Sequence, residues 1–288
     1  MYFDKIVLGT VQLGLDYGIN NSTGKPSVKE ALSILDFAQK SNIKFVDTAK
    51  AYGTAMQVIG EFHQQSQPFH VISKFHVHDG VFNENEFSHD LKILNIAVME
   101  ALLFHSFADY KNHLQEIGKL EKLKAEGKLR KIGISVYTNN ELEEAINDER
   151  IDLIQLPFNV LDNNNCRGEL LLKAKEKGKE IHVRSVFLQG LFFKNTEEVP
   201  SKLLPLKPYL LGIHKIAQDL NLTVEQLALM YVLQQSYIDK VLFGVDNLNQ
   251  LQTNVDLIQD LPKFEVRDVV NKTIKVQEIT LLNPVNWK

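Results

Sequence analysis

Four side chains able to hold and move protons stand at or just beyond the ends of short apolar runs: Asp47, Tyr52, Lys74 and His105. A carboxylate, a phenol, an ammonium and an imidazole suffice for general acid–base chemistry, provided that they meet in one place. Taken singly, each has an ordinary reading. Asp47 could cap a helix, Tyr52 could fill core with its hydroxyl satisfied, Lys74 could be a surface lysine, and His105 is one of nine histidines. Whether they form a site depends on the elements that carry them.

Those elements alternate. Short, often β-branched runs recur at residues 5–9, 44–47, 70–74, 98–103, 131–135, 153–156, 181–184 and 240–244, the signature of strands buried on both faces. Helical patterns lie between them. Val28 to Gln39 sets Ala31, Ile34, Leu35 and Ala38 on one face, and residues 114–126 repeat the spacing with Ile117, Leu120 and Leu123. Further helices are predicted near 141–147, 169–177, 209–220, 223–234 and 248–258, with Thr223 and Gln226 as a capping box. Eight such alternations predict an α/β fold, a (β/α)8 TIM barrel forming one domain over residues 1–288. An open doubly wound sheet is the rival, but Gly9-Thr-Val-Gln-Leu-Gly14 lacks the GxGxxG spacing that such a sheet favours after its first strand. In a barrel, Asp47, Tyr52, Lys74 and His105 come from consecutive strand ends and converge at the C-terminal mouth.

Composition excludes other classes. The chain has 288 residues and 32 Lys+Arg against 36 Asp+Glu, a formal charge of −4, which is a poor basis for gripping a nucleic-acid backbone. No stretch approaches the roughly 20 apolar residues of a membrane helix, and Met1-Tyr-Phe-Asp-Lys5 does not read as an export signal. The single Cys166 cannot form an internal disulfide. A soluble cytoplasmic protein is expected.

The motifs carry a resemblance. Asp47-Thr-Ala-Lys-Ala-Tyr52-Gly53, Ile59-Gly60-Glu61, Lys74 and Phe104-His105-Ser106 closely resemble the aldo/keto reductase family. So do Gly133-Ile-Ser135, Ile154-Gln155-Leu-Pro-Phe-Asn159, Arg184-Ser185-Val-Phe-Leu-Gln-Gly190 and the segment from Gly244 to Asn254. The N-terminal Leu8-Gly-Thr-Val-Gln-Leu-Gly-Leu-Asp-Tyr-Gly-Ile19 is similar to a branch associated with surface-polysaccharide and unusual-sugar pathways. The resemblance implies reversible hydride transfer between a nicotinamide cofactor and an aldehyde or ketone, here a keto-sugar or nucleotide-linked keto-sugar. It also assigns roles. Tyr52 supplies the proton to the carbonyl oxygen, Lys74 eases its loss, Asp47 keeps Lys74 charged and aimed, and His105 donates a hydrogen bond or relays a proton. An ammonium about 4 Å from a phenolate contributes on the order of 4 kcal/mol at an effective dielectric of ~20, before desolvation is counted.

The same resemblance maps a cofactor site. Ser135 and Gln155 match residues that hold the nicotinamide carboxamide, while Val136 replaces a common Asn. Arg184 occupies the region of a stacking aromatic, where a guanidinium could also stack or pair with an acid. Gly9, Thr10, Ser185, Leu188, Gly190 and Gly244 bring backbone toward the cofactor, and Asn254 meets the adenine. Asp246 and Gln250 stand where Ser and Arg usually surround the 2′-phosphate of NADPH. A carboxylate repels that phosphate and accepts hydrogen bonds from a ribose diol, so NAD(P)H use with a leaning to NADH is expected. Asp246 could equally cap the helix that follows.

Other features are weaker. His76 and His78 alternate, with His70 or Asp79 near in sequence, but no metal-ligand spacing follows, and no metal is expected. The Lys/Glu-rich stretch 119–131 reads as a solvated helix face. Cys166 has no evident base. Phe187, Phe192, Phe193 and Trp287 are candidates for substrate-pocket walls, with the C-terminal tail over the mouth, and Asp162, Asn163, Asn164, Asn165 and Arg167 could meet substrate hydroxyls or phosphates. The expected partner is a small carbonyl compound, bound by a monomer or homodimer. The alternatives are a slow, cofactor-binding regulatory protein on the same barrel, and a lyase or isomerase barrel, which would leave Ser135, Gln155 and the Gly244 loop unexplained.

Overall fold

The computed structural model describes residues 2–18, 21, 24–75 and 81–287. Eight parallel strands close into a barrel in chain order: β1 (Ile6–Gly9), β2 (Phe45–Asp47), β3 (His70–Phe75), β4 (Met99–Phe104), β5 (Leu129–Ser135), β6 (Leu153–Pro157), β7 (Glu180–Arg184) and β8 (Lys240–Gly244). Every predicted run carries a strand. Closure brings β1 between β2 and β8, pairing Gly9 with Asp47 on one side and with Gly244 on the other. The C-terminal strand ends named above therefore share one rim.

Two apolar layers hold the barrel. Inside it, Val7, Ile72, Ala101, Leu103 and Leu153 pack with Phe45 and Leu242. Outside it, the opposite strand faces meet the helical ring, where Ala31, Ile34, Leu35 and Ala38 of the helix Val28–Lys40 are buried as their spacing predicts. The capping box at Thr223 and Gln226 is present in both halves.

Besides the single turn Val11–Gly14, four helices lie outside the expected ones: Ala55–His63, Glu84–Ile93, Phe107–Asn112 and Arg267–Thr273. In the first, seven of nine residues are buried, so no polar face marks the period. The second buries only Phe87 and Leu91, and reads as polar all round. The stretch 114–126 divides into a 3-10 turn, Leu114–Glu116, and a helix, Ile117–Ala125. The helix expected from 169 begins at Asn164, because Asn163 caps it by accepting from the Asn165 N–H at 2.9 Å.

Candidate active site

The C-terminal strand ends surround a cleft of about 600 Å³. Asp47, Tyr52, Lys74 and His105 all line it. Asp47 closes β2, Lys74 is the penultimate residue of β3, and His105 follows β4 with its N–H donating to Phe75 O at 3.0 Å. Tyr52 sits on the turn after β2, where its N–H donates to Ala49 O at 2.9 Å. That turn is clamped from the N-terminal side. The Thr10 hydroxyl donates to Asp47 O at 2.8 Å, and a Cβ on Gly14 would lie 1.8 Å from Tyr52 O, so only glycine lets the segment Val11–Gly14 press onto the tyrosine.

Charge at the base of the cleft is buried and paired. The Lys74 ammonium donates to Asp47 Oδ1, and Gln155 Nε2 donates to Asp47 Oδ2 at 2.8 Å. Lys74 and Asp47 are 3% and 1% exposed, which removes the screening that weakens surface pairs. Burial alone would push the Lys74 ammonium down; the Asp47 carboxylate and then Tyr52 outweigh it and hold the ammonium above its ordinary value. Lys74 Nζ lies 5.4 Å from the Tyr52 ring centroid, and the Tyr52 and His105 rings meet edge-on at 6.1 Å. A phenol beside a charged ammonium, with an imidazole edge-on to its ring, can hold a proton ready for an oxygen bound in the cleft.

Of the twelve residues assigned to the cofactor, all but Leu188 line the same cleft. Leu188 is fully buried and does not reach the cleft wall. It belongs to a turn in which Ser185, Leu188, Gln189 and Gly190 have φ of 62°, 47°, 53° and 83°. Three of these are not glycine, a local strain of the kind found at ligand sites. Gln155 Oε1 is buried without a partner among the described residues, so one polar group is left for a ligand donor such as a carboxamide N–H. The residues present fit a nicotinamide cofactor.

The last loop removes the capping role considered for Asp246. Asn247 caps the helix Leu248–Gln259, accepting from the Gln250 N–H at 2.9 Å. Asp246 does not cap; its carboxylate accepts from Gln250 Nε2 at 3.1 Å, and its N–H donates to Gln250 Oε1 at 2.8 Å. Arg184 stacks its guanidinium 4.1 Å from the Tyr137 ring centroid.

Several expectations are corrected. Arg167 is buried and bound through Nε and Nη2 to Asp162 at 2.6 and 2.8 Å, with Tyr137 O at 2.6 Å, so this loop is structural. None of residues 162–165 or Arg167 is among the cleft-lining residues. Phe187 and Phe193 line the cleft, whereas Phe192 is fully buried, and Trp287 donates to Leu281 O at 2.8 Å within the tail. Burial pushes the Cys166 thiol up, which opposes thiolate chemistry. His76, His78 and Asp79 lie outside the described residues, among which no cluster could hold a metal ion. Among them, too, no helix is long and apolar enough to cross a membrane.

The sequence reading missed Tyr17, Tyr137, Asn249 and Thr253 on the cleft wall. Tyr137 was within reach, since it follows Ser135 by two residues. Asn249 and Thr253 were also within reach, being three and seven residues beyond Asp246 at helical spacing.

A model of the aldo/keto reductase family matches residues 5–273. The chain belongs to the aldo/keto reductase family. An uncharacterized oxidoreductase of Bacillus subtilis, YqkF, is 23% identical over 281 residues, covering 86% of this chain and 89% of that protein. The L-galactose dehydrogenase of Arabidopsis thaliana is 29% identical over 156 residues, 51% of this chain and 47% of the relative. An aldo-keto reductase of Bacillus halodurans in its holo form shares the fold at a TM-score of 0.75 and 21% identity, covering 94% of this chain and 92% of its own. This aldo/keto reductase is thus an oxidoreductase of a family that uses NAD(P)H.

Proposed function

We propose that this aldo/keto reductase reduces a keto-sugar or nucleotide-linked keto-sugar with NADH, using Tyr52 as the acid. The observation that carries the reading is the buried Asp47–Lys74 pair set against Tyr52 at the base of an open cleft. The bound cofactor supplies a hydride to the carbonyl carbon. Tyr52 gives its hydroxyl proton to the oxygen on which negative charge develops, and Lys74 stabilises the phenolate left behind. Asp47 fixes Lys74 and, through Gln155 Nε2, orients the amide that faces the cofactor. His105 orients the carbonyl oxygen.

Ser135 and Gln155 would hold the carboxamide, and the turn at Ser185 and Gly190 would approach the diphosphate. Gly9, Thr10 and Gly244, at the β1 and β8 ends, would admit the cofactor close to backbone, and Asn254 would take the adenine. Asp246 with Gln250 would accept the ribose diol. Their mutual hydrogen bonds fix the carboxylate on the cleft wall, and a carboxylate there would repel a 2′-phosphate. The sugar substrate is supported by the N-terminal segment and by the named substrate of the plant relative. Tyr17 and Gln189 add polar groups at the mouth, with the Gln189 amide 3.4 Å from the Tyr17 hydroxyl.

A fluorescence titration with NADH and NADPH side by side tests the cofactor reading. NADH should bind as tightly as NADPH or more tightly. A tenfold preference for NADPH, about 1.4 kcal/mol, would overturn the role of Asp246 and Gln250. Binding of neither would overturn the oxidoreductase mechanism.

A further inference from the structure

Arg184 ends β7 in register with Pro157, just as His182 is in register with Gln155, so alternation puts Arg184 on the strand face that Gln155 uses. Its guanidinium stacks on Tyr137, and Nη2 lies 3.5 Å from Val136 O. Both neighbours follow β5. The charged head is therefore carried across the end of β6, over the strand ends that bear Ser135 and Gln155, and away from β8.

The charge of that head reaches the Asp162 carboxylate without pairing with it. Among the described residues no carboxylate lies within ion-pair distance of Arg184. Asp162 has both oxygens on Arg167, and Asp47 is committed to Lys74. The remaining cleft acids, Asp246 and Glu225, belong to the loop after β8 and to the helix Val224–Leu233. Counted over the described residues, the Ser135–Gln155 end of the cleft thus carries one surplus positive charge.

We propose that Arg184 biases the site toward the reduced cofactor. This rests on the cofactor reading above and goes beyond it. The nicotinamide ring of NAD+ is positively charged and that of NADH is not, so a surplus cation at the Ser135–Gln155 end disfavours only the oxidised form. The ratio of the two affinities sets the potential of the bound couple; a tenfold ratio is worth about 30 mV for two electrons. Such a site loads the reduced cofactor and releases NAD+ readily, while the raised potential makes the bound NADH a milder reductant. Tyr137 matters because its ring holds the guanidinium without neutralising it.

Calorimetric titration of NADH, NAD+ and ADP-ribose against wild type, Arg184→Met and Arg184→Lys tests this without turnover. Wild type should bind NADH at least tenfold more tightly than NAD+. Arg184→Met should shrink that ratio about tenfold, chiefly by tightening NAD+, while ADP-ribose affinity stays level. Arg184→Lys, which restores a cation, should keep the ratio. An unchanged ratio in a normally melting Arg184→Met protein overturns the proposal. So does a parallel weakening of ADP-ribose and both dinucleotides, which would place the guanidinium on the diphosphate. If wild type binds neither dinucleotide, the cofactor reading fails and this inference with it.

Discussion

The two ends of the barrel both take charge out of water, and they finish it differently. At the floor, Lys131 Nζ lies 2.9 Å from Glu100 and 2.7 Å from Glu180. Glu100 also meets Arg130 at 3.3 Å and His70 at 3.5 Å, and Glu180 meets His182 Nε2 at 2.7 Å. These groups sit at the beginnings of β3, β4, β5 and β7, and none lines the cleft. At the mouth, Asp47 and Lys74 form one compact pair, and among the described residues the polar groups around them are left open: Gln155 Oε1 lacks a partner and Arg184 lacks an ion-pair acid. Charge satisfied by several strands acts as a clasp. Charge left incomplete above an open volume waits for a ligand, as the division of such barrels into a stabilising and a working face requires.

Substitutions at the two ends should separate these roles. Tyr52→Phe should lower kcat by about a thousandfold with no change in melting temperature, checked by steady-state kinetics and thermal denaturation on one preparation. Asp47→Asn strands the Lys74 ammonium in a buried site. It should lose roughly 3 kcal/mol of stability together with most activity, read by urea denaturation and initial rates. Lys131→Met should do the reverse of Tyr52→Phe: a loss of about 1–2 kcal/mol, because Glu100 and Glu180 lose their shared cation, with kcat intact. A Lys131→Met protein with normal stability and impaired turnover would dissolve the contrast.

A smaller effect is expected from acid. Burial pushes His182 and His63 down, against the opposing pull of Glu180 on the first and of the Leu94 carbonyl on the second. His63 is held by Leu94 O at 2.7 Å and by the Phe69 N–H at 3.1 Å, an arrangement that suits the neutral ring with its proton on Nδ1. The unfolded chain therefore binds protons below about pH 6.5 that the folded one refuses, so stability falls as pH drops through that value. Glu180, depressed to about 2 against burial by its bonds to His182 and then Lys131, adds a second loss as pH falls from about 4.5 toward 2. Melting curves from pH 8 to 4 should show the first decline beginning near pH 6.5. A flat profile down to pH 5 would contradict it.

Much of this was legible before any coordinates. The strands announced themselves because runs buried on both faces are short and almost wholly apolar, and the tetrad because each member stands at or just past such a run. The helix Ala55–His63 hid because it is buried nearly all round, which erases the period that marks a helix. Asp246 and Asn247 are adjacent and both suited to capping, and only backbone geometry decides between them. Arg167 looked like a ligand group because sequence shows a polar loop without showing that Asp162 already occupies the guanidinium. Arg184 was the opposite case. Its place was legible, while its lack of an ion-pair carboxylate among the described residues shows only in three dimensions.

The central claim is that this barrel turns carbonyls over, as opposed to binding a dinucleotide for a regulatory purpose. Incubating the protein with NADH deuterated at the transferable position and a panel of keto-sugars, then reading the products by mass spectrometry, addresses it most directly. The account predicts an alcohol one deuterium heavier, labelled at the former carbonyl carbon, and its disappearance with Tyr52→Phe. Tight NADH binding with no labelled product from any carbonyl compound would contradict it and favour the regulatory reading.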